Sequence, residues 1–317
     1  MSEMYNVAAN PHVRSKDTTS RIMLYVIISL LPATVFGIWN FGPRALMLIA
    51  ITIASCVLFE YLFNKVTKRK QTIGDLSAVV TGLLLALNFP VSLPWWMPIV
   101  GAAFAIIVVK MLFGGLGQNF MNPALGARCF MLISFTSYMS AFTYDGVSSS
   151  TPLALMRSGE AIDLWDCFVG TIPGTIGETS VIALLIGAAF LLWMGVIDMR
   201  IPGTYIVTFV IFLLLFSGQG LNLTYIVGQL CSGGLILGAF FMATDYVTSP
   251  ITSKGKYIYG ICLGVLTGLF RVYGGSAEGV SYAIIFSNLL VPLIERVTIQ
   301  RGFGVVKEKK QKGGDAK

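Results

Sequence analysis

The 317-residue chain is 55% hydrophobic and only 12% charged, with a mean hydropathy of +0.78. Soluble domains are about a quarter charged, so the composition excludes a water-soluble globule, a disordered chain, a coiled coil and a disulfide-stapled secreted fold. In the multi-span membrane protein that remains, the net charge of +7 labels orientation and gives no reason to expect a nucleic-acid partner.

A span needs about 20 mostly apolar residues to cross roughly 30 Å of hydrocarbon. The first candidates run Ile22 to Trp39, Ala45 to Phe63, a shorter Leu76 to Phe89, Trp95 to Phe113, and Ala124 to Ala141. A long polar stretch, Tyr144 to Thr179, then intervenes. Five more follow: Val181 to Met199, Tyr205 to Phe216, Tyr225 to Ala243, Tyr257 to Phe270, and Ala283 to Val297. The 21 polar or mixed residues before the first run do not read as a secretory signal.

With the N-terminus in the cytoplasm, alternating sides put Arg44, Arg157 and Arg271 outside, while Lys110 and Arg128 fall in or beside spans. All other Lys and Arg then lie inside, so the positive-inside rule supports ten spans with both termini cytoplasmic. The expected organisation is a cytoplasmic segment 1–21, a five-helix unit 22–142, an outer loop 143–179, a second five-helix unit 180–298 and a basic tail 299–317. Lys110-Met-Leu-Phe-Gly114-Gly115 and Arg271-Val-Tyr-Gly274-Gly275 close the fourth and ninth spans, and Gly82-Leu-Leu-Leu-Ala86 resembles Gly234-Leu-Ile-Leu-Gly238. Five is odd, so duplicated halves insert upside down. The expected fold is therefore an all-α polytopic membrane protein of ten transmembrane helices in two inverted five-helix repeats, with its site on short or broken spans.

Three segments hold concentrated polar chemistry. Gly114 to Arg128 combines Gly115 and Gly117, which allow close backbone approach, with the uncharged amides of Gln118, Asn119 and Asn122. Pro123 suits the first turn of the fifth span. Arg128 lies further into it, either snorkelling to the interface or contacting a ligand; Lys110 reads as a snorkeller. The acidic outer loop carries Asp145-Gly146-Val147-Ser148-Ser149-Ser150-Thr151-Pro152. Its hydroxyls are solvated loop, a helix cap, or an acceptor for an attached group. The third segment, Ala243-Thr244-Asp245-Tyr246-Val247-Thr248-Ser249-Pro250, places Asp245 where the eighth span ends, as a helix terminus or on a cation path. Glu60 reads as interfacial burial. A single histidine, His12, and five cysteines without a C-x-x-C argue against haem, zinc, iron–sulfur and His-based triad sites, and no nucleotide-binding loop is present.

The glycine/asparagine segment, the Asp-Gly-x-Ser-x-x-Thr loop and the Ala-Thr-Asp element occur in the order of one family. With the early Asn10-Pro11-His12, they resemble the D-type membrane subunit of the Rnf electron-transport complex and its homologue, the B-type subunit of the sodium-pumping NADH:quinone oxidoreductase. The likeness runs from about Pro11 to Gly302. A first span starting near Ile22 favours the Rnf protein, because its quinone-reductase homologue usually carries a longer N-terminal extension. The resemblance implies an FMN joined through its phosphate to Thr151 by a flavin transferase, within a site formed by Asp145, Ser148, Ser149 and Ser150. Here Ser149 and Ser150 replace the usual glycine and alanine. It also implies a second, non-covalent flavin resembling riboflavin, with Asn119 and Asn122 as contacts, Arg128 more weakly, and Gly115 and Gly117 shaping the loop. The implied role is an electron-carrying subunit of a bacterial inner-membrane complex coupling ferredoxin oxidation to NAD⁺ reduction and export of Na⁺ or H⁺. Ferredoxin and NAD would bind other subunits, and this chain would hold no metal. A solute transporter or channel with inverted repeats, and a scaffold without cofactor, are the rival expectations.

Overall fold

The computed structural model describes residues 17–144, 147–274 and 279–299; Asn10-Pro11-His12, Asp145 and nearly all of the basic tail lie outside the described residues. Helix α1 (Thr19–Phe41) starts where the Thr18 hydroxyl accepts from the Arg21 N–H at 3.4 Å, and it stops at Gly42. Pro43, whose fixed φ suits a first helical turn, begins α2 (Pro43–Val66). After a 3₁₀ turn at Ile73–Asp75 come α3 (Ser77–Leu87) and α4 (Met97–Met111), the latter in π register from Phe104 onward. Pro123 opens α5 (Pro123–Ser134), which breaks at Phe135 before a single turn, α6 (Thr136–Met139), so the expected fifth span is not one straight helix.

The long loop that follows α6 is structured. A two-residue hairpin, β1 (Thr143–Tyr144) with β2 (Val147–Ser148), leads to α7 (Pro152–Ser158) and α8 (Leu164–Val169). Then follow α9 (Val181–Trp193), α10 (Arg200–Phe216), α11 (Leu223–Cys231), α12 (Leu235–Met242), α13 (Ser253–Tyr273) and α14 (Val280–Thr298). The expected eighth span, Tyr225 to Ala243, is thus broken at Ser232-Gly233-Gly234, and its halves meet at 60°.

Among the described residues, α1, α2 and α14 are long and apolar enough to cross a membrane, and the bent pair α11–α12 passes if taken as one span. The remaining apolar helices α3, α4, α5, α9 and α10 are shorter. This is the architecture of a multi-pass membrane protein. Its outer surface is studded with exposed large apolar side chains such as Leu31, Val35, Leu62, Leu215 and Leu293, which water would not tolerate in such number.

Helix α3 sits at the centre, with every residue buried except Val79. Eleven residues at 1.5 Å each reach about 16 Å, half of a hydrocarbon core. Its C-terminal carbonyls therefore end inside the protein and need partners. They find them in the last part of the 143–179 loop: the N–H groups of Gly177 and Ile176 donate to the carbonyls of Leu87 and Phe89 at 2.8 and 3.0 Å. Thr175, Ile176, Glu178 and Thr179 are buried. The stretch that composition assigns to an acidic outer loop instead folds back into the core from about Thr171 onward. Helix α1 lies against α9 so closely that a methyl group at Gly187 would fall 2.0 Å from the Ser29 carbonyl oxygen.

Candidate functional site

Three neighbourhoods collect the polar residues. The outermost surrounds Thr151. Ser149 N–H donates to the Phe142 carbonyl at 3.1 Å, closing the base of the hairpin, and Ser150 is exposed. Thr151 caps α7, its hydroxyl accepting from the Ala154 N–H at 3.4 Å. It stands at a cleft walled by Pro152, Pro173, Gly174, Glu178, Thr179 and Gly233. Thr151 is among the residues lining that cleft, whereas Ser150 is exposed. Ser148 is the last residue of β2.

The second neighbourhood is central. Arg128 is buried and does not snorkel. Its Nη1 donates to Asn88 Oδ1 at 2.7 Å, and Nη2 lies 3.8 Å from Glu178 Oε2. Asn88, the residue after α3, in turn donates to the Leu84 carbonyl at 2.6 Å. The same Glu178 Oε2 lies against Gly234, at the N-terminus of α12. Arg271 is buried at the other end of the break. Its guanidinium donates to the carbonyls of Gln229, Ser232 and Gly233, the last two at 2.9 and 3.1 Å. Each half-helix end therefore receives the charge its dipole favours: the cation at the C-terminus of α11, the anion at the N-terminus of α12.

The third neighbourhood is a half-open apolar cavity bordered by α3, α1, α9 and α12. Val26, Val80, Leu84, Leu191 and Phe241 supply its apolar walls; Thr81, Asn119, Asn122, Thr244 and Asp245 supply polar edges. Such a composition suits a flat, largely neutral ligand held by a few placed polar groups. Asn122 also serves the fold: its Oδ1 accepts from the N–H groups of Ala124 and Leu125 at 3.1 and 3.3 Å, and its Nδ2 donates to the Met242 carbonyl at 3.4 Å. Asn119 donates to the Met121 carbonyl at 3.0 Å. Gly115 and Gly117 adopt left-handed φ of 101° and 91°, which turns the chain back so that Leu116 and Asn119 reach the cavity, but they do not line it. Arg128 does not line it either.

Lys110 and Glu60 also depart from the sequence reading. They form a buried pair, Nζ to Oε2 at 2.6 Å, with Lys110 donating to Ser77 Oγ at 2.6 Å and Thr72 donating to Glu60 Oε1 at 2.5 Å. Lys110 borders the cavity. A buried charge needs a partner, and that requirement is the signal that would have joined Lys110 to Glu60 and Arg128 to Glu178. Which carboxylate serves which cation depends on long-range folding. Among the described residues no group of three or more His, Cys, Asp or Glu is placed to hold a metal ion, and all five cysteines are free. Burial raises the pKa of the Cys167 thiol in α8, so it stays protonated beside Ser232.

A helical chain with a core-inserted loop, two opposed half-helix ends and an amide-edged apolar cavity defines a class, the polytopic membrane protein with an internal polar site. Its relatives narrow that class. The family model described as NQR2, RnfD, RnfE matches residues 6–304, and the chain belongs to that family. It is 48% identical to the D-type subunit of the Na⁺-translocating ferredoxin:NAD⁺ oxidoreductase complex of Acetobacterium woodii, covering 96% of this chain and 97% of the relative. The D-type subunit of the proton-translocating ferredoxin:NAD⁺ oxidoreductase complex of Clostridium ljungdahlii is 39% identical over 95% of this chain and 96% of its own length. The D-type subunit of the ion-translocating oxidoreductase complex of Escherichia coli K12 is 33% identical over 95% and 99%.

Proposed function

We propose that this chain is the flavin-carrying D-type membrane subunit of an ion-translocating ferredoxin:NAD⁺ oxidoreductase complex. Its near full-length match to two relatives named as D-type subunits of ferredoxin:NAD⁺ oxidoreductase complexes, and to a third named for an ion-translocating oxidoreductase complex, carries the reading of the complex. The flavin rests on the fit of the Thr151 cleft and the apolar cavity. The chain would work only with the other membrane and peripheral subunits, which bind ferredoxin and NAD. In this reading it spans the inner membrane ten times, with both termini cytoplasmic and Thr151 outside. The pairings support an inverted repeat: α1 packs on α9 and α5 on α14, each on its counterpart, while α2 packs on α4 as α10 packs on α13.

Thr151 is the acceptor for covalent FMN. The fit rests on its place at the cleft mouth with small neighbours, Gly174 and Gly233, and on the exposed position of Ser150. A flavin there supplies one- and two-electron chemistry; the chain's part is to position it and set its potential. Thr151 anchors the phosphate, the exposed Ser150 leaves the approach open to the transferase, and the buried stretch 171–180 forms the cleft floor. A riboflavin-like second flavin fits the apolar cavity, with Asn119 and Asn122 at its edge. Ion movement against the membrane potential costs about 2.3 kcal/mol per charge per 100 mV, and Asp245 and Glu60, both beside or near this cavity, are the acidic groups placed to take part.

The solute-transporter reading draws on the broken helix. That break is filled by the chain's own Arg271 and Glu178, which stand where a cation and an anion would bind. The test is expression with and without the flavin transferase, followed by a denaturing gel. A fluorescent band that depends on the transferase supports the reading, and its absence with the transferase present rejects it.

A further inference from the structure

One polar cluster runs from the protein surface to the wall of the apolar cavity. Lys110, in the π-register part of α4, and Ser77, the first residue of α3, both border the cavity. Lys110 Nζ donates to Glu60 Oε2 and to Ser77 Oγ, each at 2.6 Å. Two short branches lead outward from there. Glu60 Oε1 accepts from Thr72 Oγ1 at 2.5 Å, and Thr72, which also accepts from Asn64 Nδ2 at 3.0 Å, is exposed. Ser77 Oγ donates to Asp75 Oδ1 at 2.5 Å, and Asp75 is half-buried. Each branch is one hydroxyl and one carboxylate long, and a hydroxyl both donates and accepts. A buried ion pair is often no more stabilising than apolar residues of the same volume, so packing alone does not account for this arrangement.

The two buried cations beside α3 differ in the chemistry they allow. Arg128 is paired with Asn88 and Glu178 and does not border the cavity. A guanidinium keeps its proton, whereas a buried ammonium releases one readily. The helices packed on this part of α4 are α2, α3 and α5. On α2, Cys56 stands one turn before Glu60, within electrostatic reach of Lys110, while Tyr61 and Lys65 are exposed. Helix α5 carries Arg128 and Cys129, and α3 carries no titratable residue. Arg69 closes the end of α4 by donating to the Met111 carbonyl at 3.4 Å, and Asp245 borders the same cavity.

Resting on the reading of this cavity as the seat of the non-covalent flavin, we propose that Lys110 is the proton donor to that ring, supplied from the surface through Thr72–Glu60 and Asp75–Ser77. As two electrons from ferredoxin oxidation arrive, the Nζ–H bond breaks and an N–H bond forms at ring nitrogen N5, leaving one negative charge on the ring and a neutral amine at Lys110. Nζ then recovers a proton from Glu60 or Ser77, and these recover theirs from water by way of Thr72 or Asp75. One proton enters per pair of electrons, and Lys110 returns to the ammonium form. This proton stays with the ring and is distinct from the exported ion.

The full chain, purified after expression without the flavin transferase, carries only the non-covalent flavin, and extraction measures its content in each variant. Reduction by dithionite is followed by absorbance after rapid mixing, in light and in heavy water. The unsubstituted protein should slow in heavy water. Lys110→Arg keeps the charge and the Glu60 partner but cannot release the proton, and it should reduce about a hundredfold more slowly, as for the loss of a general acid. Lys110→Met combined with Glu60→Gln, which leaves no lone buried charge, should do the same. Thr72→Val combined with Asp75→Asn should give a rate between these and the unsubstituted one. A flavin-loaded Lys110→Arg or Lys110→Met/Glu60→Gln protein that reduces at the unsubstituted rate overturns the proposal, because Lys110 then supplies only charge or packing. So does an unsubstituted rate that is equal in light and heavy water, and an unchanged rate in Thr72→Val/Asp75→Asn removes the two branches as the supply. A chain that holds no non-covalent flavin instead rejects the reading of the cavity itself.

Discussion

The carboxylate of Glu178 lies against the backbone of Gly234, so close that a methyl group on that glycine would sit 2.3 Å from Oε2. Gly234 has φ of 65°, the left-handed region, and is the residue from which α12 starts. One contact thus ties the end of the 143–179 loop to the break between α11 and α12, and Arg128 links the same carboxylate to the end of α3 through Asn88. Gly234→Ala meets both the clash and the left-handed strain, the latter about 1–2 kcal/mol by itself. It should lower the thermal midpoint of the detergent-purified protein more than Gly195→Ala, where nothing lies within 4 Å of the added methyl and the backbone is equally left-handed.

Breaking the Arg128–Glu178 pair from one side leaves a buried charge without its counter-ion, a loss of about 3–5 kcal/mol. Arg128→Met and Glu178→Gln should each destabilise markedly, and the double variant should recover much of the loss. Thermal melts of the four proteins measure the coupling; additive losses would show that the pair contributes nothing as a pair.

The same logic applies to Lys110 and Glu60, which are buried at 2.6 Å. Lys110→Met alone should lower the yield of folded protein, and Glu60→Gln in the same chain should rescue it. Size-exclusion profiles of the fluorescently tagged protein report the outcome.

Asn122 has two jobs that substitution can separate. Asn122→Ala removes the α5 cap, worth about 1 kcal/mol, together with an amide at the cavity edge. Asn122→Ser keeps a capping oxygen and loses the amide. Non-covalent flavin should fall in both variants, while the melting temperature should fall clearly in the alanine variant only. Flavin stoichiometry after acid extraction, set beside a melt, distinguishes the roles.

Much of this fold is legible in the sequence where apolar runs meet strong stop signals. Gly42-Pro43 separates α1 from α2, and Asn122-Pro123 marks the start of α5 within a residue. The Ser232-Gly233-Gly234 break is written in the chain as well, but hydropathy runs across it because the residues on both sides are apolar. The insertion of residues 171–180 is not legible locally. Thr-Ile-Pro-Gly-Thr-Ile-Gly-Glu-Thr-Ser has loop composition, and it is buried only because the half-length α3 leaves carbonyls at Leu87 and Phe89 and because Arg128 needs a carboxylate. The cleft at Thr151 follows from that insertion, so the sequence marks Thr151 but not the cleft floor.

The sidedness implied by the basic residues is tested with single cysteines in a background lacking the native five. Arg157→Cys should react with an impermeant maleimide added outside intact cells, and Lys256→Cys only after lysis. The reverse pattern would invert the assigned orientation.

The proposed FMN bond at Thr151 is the most direct point of test. Intact-mass and peptide mass spectrometry of the protein made with its flavin transferase should find one FMN, less one water, on the peptide containing residues 149–157, with fragment ions placing it on Thr151. Thr151→Ala should lose both the mass and the fluorescence on a denaturing gel. An unmodified Thr151 in the transferase-treated protein, or a flavin that persists on Ser149 or Ser150 in Thr151→Ala, would contradict the assignment.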